Sequence, residues 1–243
     1  MTLQNTFPKS DAVVVMPSLN EGAVVGHIVR TTQKLTELPV WLIDDCSTDN
    51  TRDEAEKSGA RLISLHQKLG AWGATQTGLR EAGRIGMKYV ITMDADGQHN
   101  PKDIEKIMQP VLKGKADVAV GSSPKRGSLL RRIAWTLIRS SSGLECSDVT
   151  SGFRVFNRKA ILLLASSSAS NLDYQDVGVL LMLEKEGLTI VEVPVDMDHR
   201  KDGKSRIFSS WFAVISYMAQ TLVLGIFKRH RAPFKRYRPK MVK

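Results

Sequence analysis

Five near-continuous apolar runs of strand length punctuate the first half of the chain: "DAVVVMP" (11–17), "VWLIDD" (40–45), "ARLISL" (60–65), "YVITMDA" (89–95) and "ADVAVGS" (116–122). Runs that do not alternate with polar residues are the pattern of strands covered on both faces. Helical patterns of roughly 10–17 residues separate them. The first helix is expected to open at Asn20, a good N-cap, and to stack Val24, Val25, Ile28 and Leu35 on one face. Another follows Pro101, a favoured first-turn residue, with Asp103 and Glu105 near the positive end of the helix dipole. Strands alternating with helices predict an α/β fold with a mostly parallel sheet, whose ligands collect beyond the carboxyl ends of the strands. At 243 residues and 42% hydrophobic content the chain can bury a full core, as one domain with an appendage.

The polar residues at the strand ends are therefore the informative ones: "PSLNEG" (17–22), "DDCSTDNT" (44–51), "DADGQH" (94–99) and "GSSPKRG" (121–127). A dinucleotide-binding G-x-G-x-x-G after the first strand is absent, and so is a P-loop. The glycines of "LGAWGATQTG" (69–78) have the wrong spacing for either, and no lysine follows them. Carboxylates stand there instead, Asp44 with Asp45 and Asp94 with Asp96. Such pairs suit a hard divalent cation, which takes oxygen ligands and draws in a substrate diphosphate. A lone D-x-D arises by chance about once in 300 residues at average aspartate usage, so its context decides. Here the pair ends a buried strand, Gln98 offers a further oxygen, and Pro101 starts a helix that fixes the loop.

The stretches "VVVMPSLNEG", "LIDDCSTDNT", "ITMDADGQH", "DVTSGFRVF" and "EVPVDMDHRKDGKSRI", in this order from Ala12 to Ile207, resemble the successive signatures of family 2 glycosyltransferases. The resemblance is nearest to the polyprenyl-phosphate sugar synthases, dolichyl-phosphate mannose synthases among them. It implies a GT-A fold, a GDP- or UDP-sugar donor, a polyprenyl phosphate acceptor and a metal cofactor, Mg²⁺ or Mn²⁺. By that likeness Pro17, Leu19, Asn20, Glu21, Asp44, Asp45, Asp94 and Ala95 line the nucleotide-sugar pocket. Asp94, Asp96 and Gln98 hold the metal, and Arg200, Lys204 and Arg206, with Arg154, face phosphate groups. Asp96 and Arg200 count among the catalytic residues. Two departures stand out. Ser123 occupies the place where relatives commonly carry an arginine after Gly-Ser, with Lys125 or Arg126 as substitutes, and Trp72 replaces a small residue.

The acceptor sets the remaining chemistry. A hydroxyl acceptor needs a general base, and Asp176 in "LDYQDVG" is the candidate, with Asp148 secondary. A phosphate acceptor is already an anion and needs positioning alone. "DVTSGFR" (148–154) is expected to wall the acceptor side. His99 and His199 are read as ordinary histidines, since carboxylates already satisfy a hard cation. The rivals to lipid phosphate are a saccharide hydroxyl acceptor on the same fold and a non-catalytic nucleotide-sugar or polyanion binder.

Charge narrows the partners. Of the formal net charge of +10, eight positive residues fall between Lys228 and Lys243, leaving residues 1–227 nearly neutral. A near-neutral body with a basic end argues against nucleic acid and for a local anionic surface such as a membrane. The two cysteines, Cys46 and Cys146, give neither a metal spacing nor a disulfide framework, which suits a reducing compartment. "MTLQNTFPKSD" has no signal-peptide pattern. Residues 207–227 carry no charge, long enough to cross a bilayer, yet one crossing would put the basic tail on the wrong side. Projected as a helix, Ser209, Ser216 and Gln220 gather opposite Trp211, Ile215, Met218, Leu222 and Ile226. That predicts an amphipathic segment lying in the interface, on a protein peripheral to the cytosolic membrane face, with a homo-oligomer as a further possibility. The expected division is 1–206 catalytic and 207–243 membrane-proximal.

Overall fold

The computed structural model describes residues 9–123, 148, 150–171 and 177–197. All five apolar runs are strands: β1 (Ala12–Ser18), β2 (Val40–Asp44), β3 (Arg61–Ser64), β4 (Tyr89–Thr92) and β5 (Val118–Ser122). Two short strands follow, β6 (Arg154–Asn157) and β7 (Ile190–Pro194). Among the described residues these make one seven-stranded sheet in the order β3-β2-β1-β4-β6-β5-β7. All pairings are parallel except those of β6, which runs antiparallel to β4 and β5.

Odd and even positions of the buried strands feed two separate cores. Val13 and Val15 of β1 pack with Leu79 and Ala82 of α3 (Gly70–Ile85), Ile161 and Leu164 of α5 (Arg158–Leu164), and Leu180 and Leu183 of α6 (Val177–Lys185). Ala12, Val14 and Met16 face the other way, onto Ile28 and Val29 of α1 (Val25–Thr36), Ala55 of α2 (Thr51–Lys57), and Ile104 and Ile107 of α4 (Ile104–Leu112). Gly78 lets α3 lie close on β1, since a Cβ there would fall 2.4 Å from Val15 Cγ1.

Several expectations need correction. Helix α1 begins at Val25, because Asn20 adopts a left-handed backbone (φ 55°) and spends its side chain on a neighbouring loop. The turn closes with the N–H groups of Val24 and Val25 donating to Glu21 O. Helices α2 and α4, at 7 and 9 residues, are shorter than anticipated. Among the described residues strand β3 lies at the sheet edge, paired only with β2, and is partly exposed rather than covered on both faces. The run at 89–95 pairs as a strand only to Thr92, after which the chain turns into the site.

Candidate functional site at the strand-order reversal

The chain runs outward from β1 through β2 to β3, then returns to place β4 on the other side of β1. At such a reversal the loops leaving the two strands diverge and open a crevice beyond their carboxyl ends. Strands β1 and β4 are paired from Ala12–Tyr89 to Val15–Thr92, and Met93 N–H donates to Val15 O at 3.1 Å. The segments after Ser18 and after Met93 therefore emerge side by side.

The loop after β1 is fastened to the loop after β2. Asn20 N–H donates to Ser47 Oγ at 2.9 Å, and Asn20 Oδ1 accepts from Thr48 N–H at 2.8 Å. Glu21 N–H donates to Thr51 Oγ1 at 2.8 Å and Gly22 N–H to Asp49 Oδ2 at 3.1 Å. Burial pushes the Asp49 carboxyl up, but hydrogen bonds from Thr51 and Gly22 outweigh it and hold it below the ordinary carboxylate range. The bonds at Asn20 sustain its left-handed backbone (φ 55°), a conformation that Cys46 shares (φ 63°) and that costs about 1 kcal/mol or more in most non-glycine residues.

Pro17, Leu19, Asn20, Glu21 and Asp45 thus come together at one rim, with Asp45 N–H donating to Ser18 O at 2.9 Å. Asp45 is 3% exposed, and its carboxylate accepts from Leu69 N–H (2.6 Å) and Gly70 N–H (2.9 Å), fixing the start of α3 against the rim. Asp44 departs from expectation. Its side chain is fully buried and accepts from Ser47 N–H and from Arg52 Nε at 2.6 Å, so it shapes the loop from beneath and offers no face to a ligand.

After β4 the carboxylates stand in a braced loop. Asp94 N–H donates to His99 Nδ1 at 3.1 Å, and the His99 ring is buried and stacked on Phe153 with centroids 5.2 Å apart. Gln98 N–H donates to Asp96 Oδ1 at 3.0 Å, while Asn100 Oδ1 caps the following turn through Lys102 N–H. Asp94, Asp96 and Gln98 keep partial exposure, and Ala95 between them is buried. Across the loop, Thr92 Oγ1 donates to Gly152 O at 2.8 Å. His99, read as ordinary from the sequence, is the brace of this loop, and Gly152 lies against its first carboxylate.

Residues 148–154 also differ from the expected wall. Asp148 is fully buried and ties three elements: it accepts from Ser123 N–H at the end of β5 and from Thr150 Oγ1, and its own N–H donates to Glu192 Oε1 on β7. That burial removes it as a general base open to substrate. Arg154, the first residue of β6, is 2% exposed, with Nε donating to Ser151 O at 2.8 Å, and so is buried in the sheet rather than open to a phosphate group. Trp72 points into the core, where its Nε1–H donates to Ala169 O at 2.8 Å. The large side chain at that position is absorbed by packing. Asp176, Arg200, Lys204, Arg206, Lys125, Arg126 and His199 lie outside the described residues.

A parallel-rich sheet with carboxylates at the strand-order reversal and one antiparallel strand inserted beside them is the architecture of GT-A glycosyltransferases. Structures of glucosyl-3-phosphoglycerate synthase from Mycobacterium tuberculosis share it. The complex with Mn²⁺, UDP-glucose and phosphoglyceric acid matches at a TM-score of 0.65 and 20% identity, over 89% of this chain and 78% of that one. The complex with Mg²⁺ and UDP matches equally well, with a TM-score of 0.65. The profile of Glycosyl transferase family 2 matches residues 13–164, and the chain belongs to that family. It is 28% identical to the UDP-N-acetylglucosamine–dolichyl-phosphate N-acetylglucosaminyltransferase of Methanococcus voltae, over 75% of this chain and 83% of that one. It is 26% identical to the polyprenol monophosphomannose synthase of Mycolicibacterium smegmatis, over 84% and 83%.

Proposed function

We propose that this chain is an inverting glycosyltransferase that moves a hexosyl group from a nucleoside-diphosphate sugar to a polyprenyl phosphate. The observation that carries the reading is the pair Asp94 and Asp96 at the reversal between β1 and β4, the first held through its N–H by His99 and the second through its carboxylate by Gln98 N–H. The likeness to lipid-phosphate transferases in two organisms supports the acceptor.

In the transfer, an acceptor phosphate oxygen attacks the anomeric carbon. The bond from that carbon to the donor diphosphate breaks, and its electron pair leaves on the diphosphate, inverting the centre. No proton need be removed from an anionic acceptor. Growing negative charge on the leaving group is the main barrier the protein can lower. Arg200, Lys204 and Arg206 supply positive charge to it, and unit charges 4 Å apart interact by about 4 kcal/mol at an effective dielectric of 20. Asp94, Asp96 and the Gln98 side chain fit a hard divalent cation, whose bound charge would neutralise the diphosphate. Among the described residues no three His, Cys, Asp or Glu side chains form a complete metal cage. The donor diphosphate itself is the natural source of the remaining oxygens. The Asn20–Glu21 rim receives the nucleoside, and Asp45 supports it from below by fixing the start of α3.

Residues 1–206 form the catalytic unit in this reading, and 207–243 bind the cytosolic membrane surface beside the lipid acceptor. Among the described residues no helix is long and apolar enough to cross a membrane; the tail lies outside them. The test is incubation with a panel of radiolabelled nucleotide sugars and polyprenyl phosphate, followed by organic extraction. Label in the organic phase is expected. Label passing only to a saccharide would replace the lipid acceptor with a hydroxyl one.

A further inference from the structure

The residue that seats Asp94 is Gly152, and its missing side chain is the reason the seat exists. A Cβ built on Gly152 would lie 2.7 Å from Asp94 Oδ1, 2.8 Å from Oδ2 and 3.0 Å from Cγ. Its three closest approaches are thus all to one carboxylate. Gly152 has no left-handed φ, so an alanine there does not meet the strain of that region. The requirement for glycine at this position comes from the side chain opposite.

Which partner would yield follows from what holds each. The backbone around Gly152 is anchored on both sides: Gly152 O accepts from Thr92 Oγ1 at 2.8 Å, and Phe153 O accepts from Gly121 N–H at 2.8 Å. Just upstream, buried Asp148 binds the turn to β5 and β7. The backbone of Asp94 is held in turn by His99 Nδ1. The Asp94 carboxylate is the far end of a side chain that is 35% exposed, with Oδ2 3.8 Å from His99 Nδ1, so it yields more readily than either backbone.

We infer that Gly152 is a positioning residue for metal binding: it aims the Asp94 carboxylate, and an added methyl group would swing that carboxylate away while leaving the fold intact. This rests on the proposed role of Asp94 as a metal ligand. Neighbours that orient a ligand typically govern metal affinity by roughly 10–100-fold, and that is the loss expected for Gly152→Ala.

The experiment titrates Mn²⁺, alone and with UDP or GDP, into the full chain and reads free Mn²⁺ by electron paramagnetic resonance, alongside thermal unfolding. Gly152→Ala should weaken Mn²⁺ binding by that factor with little change in Tm. In an Asp94→Ala background, which removes the opposing carboxylate, Gly152→Ala should have no further effect on either. If Gly152→Ala instead fails to fold, the double variant should recover the Tm of Asp94→Ala, because the clash is then gone. Wild-type Mn²⁺ affinity in folded Gly152→Ala overturns the inference, and so does a Gly152→Ala defect that persists without the Asp94 carboxylate. Absence of Mn²⁺ binding by the wild-type chain would overturn the metal reading as well, which separates the two failures.

Discussion

The main-chain N–H of Asp94 donates to Nδ1 of His99, five residues on, at 3.1 Å. The imidazole is buried and flat against Phe153, so it acts as a fixed acceptor that sets the backbone entering the carboxylate loop. His99→Phe keeps a ring for the Phe153 stack and removes the acceptor. An orphaned buried N–H costs about 1–3 kcal/mol, and for this part-buried bond the lower end, about 1 kcal/mol, is expected. For a chain of this size that is a fall in Tm of roughly 2–4 °C per kcal/mol. Thermal unfolding of His99→Phe should show this loss, and His99→Asn, whose Oδ1 can reach a similar place, should recover part of it. An unchanged Tm in His99→Phe would remove the brace.

Asp96→Asn tests the carboxylate pair directly. It keeps an oxygen near Gln98 N–H but loses the charge that a hard cation needs. Transfer should fall by at least about 100-fold, equivalent to roughly 2.7 kcal/mol of transition-state stabilisation, with far-UV circular dichroism unchanged. Excess EDTA should stop the wild-type reaction, and added Mg²⁺ or Mn²⁺ should restore it. Full activity in EDTA would end the metal proposal.

Asp176 distinguishes the two acceptor chemistries. A general base contributes 10²–10⁴-fold where a proton must be removed, and nothing of that kind where the acceptor is already ionised. With polyprenyl phosphate, Asp176→Asn should therefore stay within about tenfold of the wild-type rate, well short of that loss. Kinetics of the purified variant on lipid phosphate and on saccharide acceptors read this out, and a severe loss on lipid phosphate would assign Asp176 a role in that transfer.

The central strands were legible because Val13–Val15, Trp41–Ile43 and Val118–Val120 are buried on both faces, and burial of that kind leaves an uninterrupted apolar run. Asp94 and Asp96 were legible because their run ends abruptly in charge. Strand β6 was not, since its four residues begin with Arg154, whose burial depends on strands β4 and β5 closing around it. Asp44 and Asp45 look alike in sequence, yet one lies beneath the loop and the other caps α3. Only the path of the chain after residue 45 separates them. Gly152 and His99 act through partners brought up by tertiary packing, Asp94 and Phe153, so no local pattern marks either.

Glu81 offers a pH-dependent test of the sheet edge. It accepts from Arg84 through Nε and Nη2 at 2.8 and 2.9 Å, and from Arg61 of β3 at 2.7 Å, while Arg61 also lies 4.8 Å from the Trp41 ring centroid. Hydrogen bonds from Arg84 and Arg61 lower the Glu81 carboxyl to about 2, against 4.5 when unperturbed. A carboxyl lowered on folding stabilises fully above its unfolded value and loses that contribution as pH falls through the folded one. Glu81→Gln should therefore lower stability at pH 7 by about 0.2–1 kcal/mol, the range for exposed ion pairs. The gap in Tm between variant and wild type should close between about pH 4.5 and pH 2. A constant gap would mean the effect is not the charge.

The tail sequence gives the last expectation. An uncharged amphipathic stretch and a purely basic end are each weak membrane signals, and two together give stable anchoring. The electrostatic part, about 1 kcal/mol per basic residue near anionic lipid, is screened at 1 M salt, where the Debye length is about 3 Å. Insertion of the apolar face is not. High salt should release the protein from anionic vesicles only in part, whereas deletion of 207–243 should release it fully. The truncated chain should still bind donor, because the strand-end residues at 17–22, 44–51 and 94–99 all precede the cut. Retention of the truncated chain on vesicles would move the membrane contact into the catalytic unit.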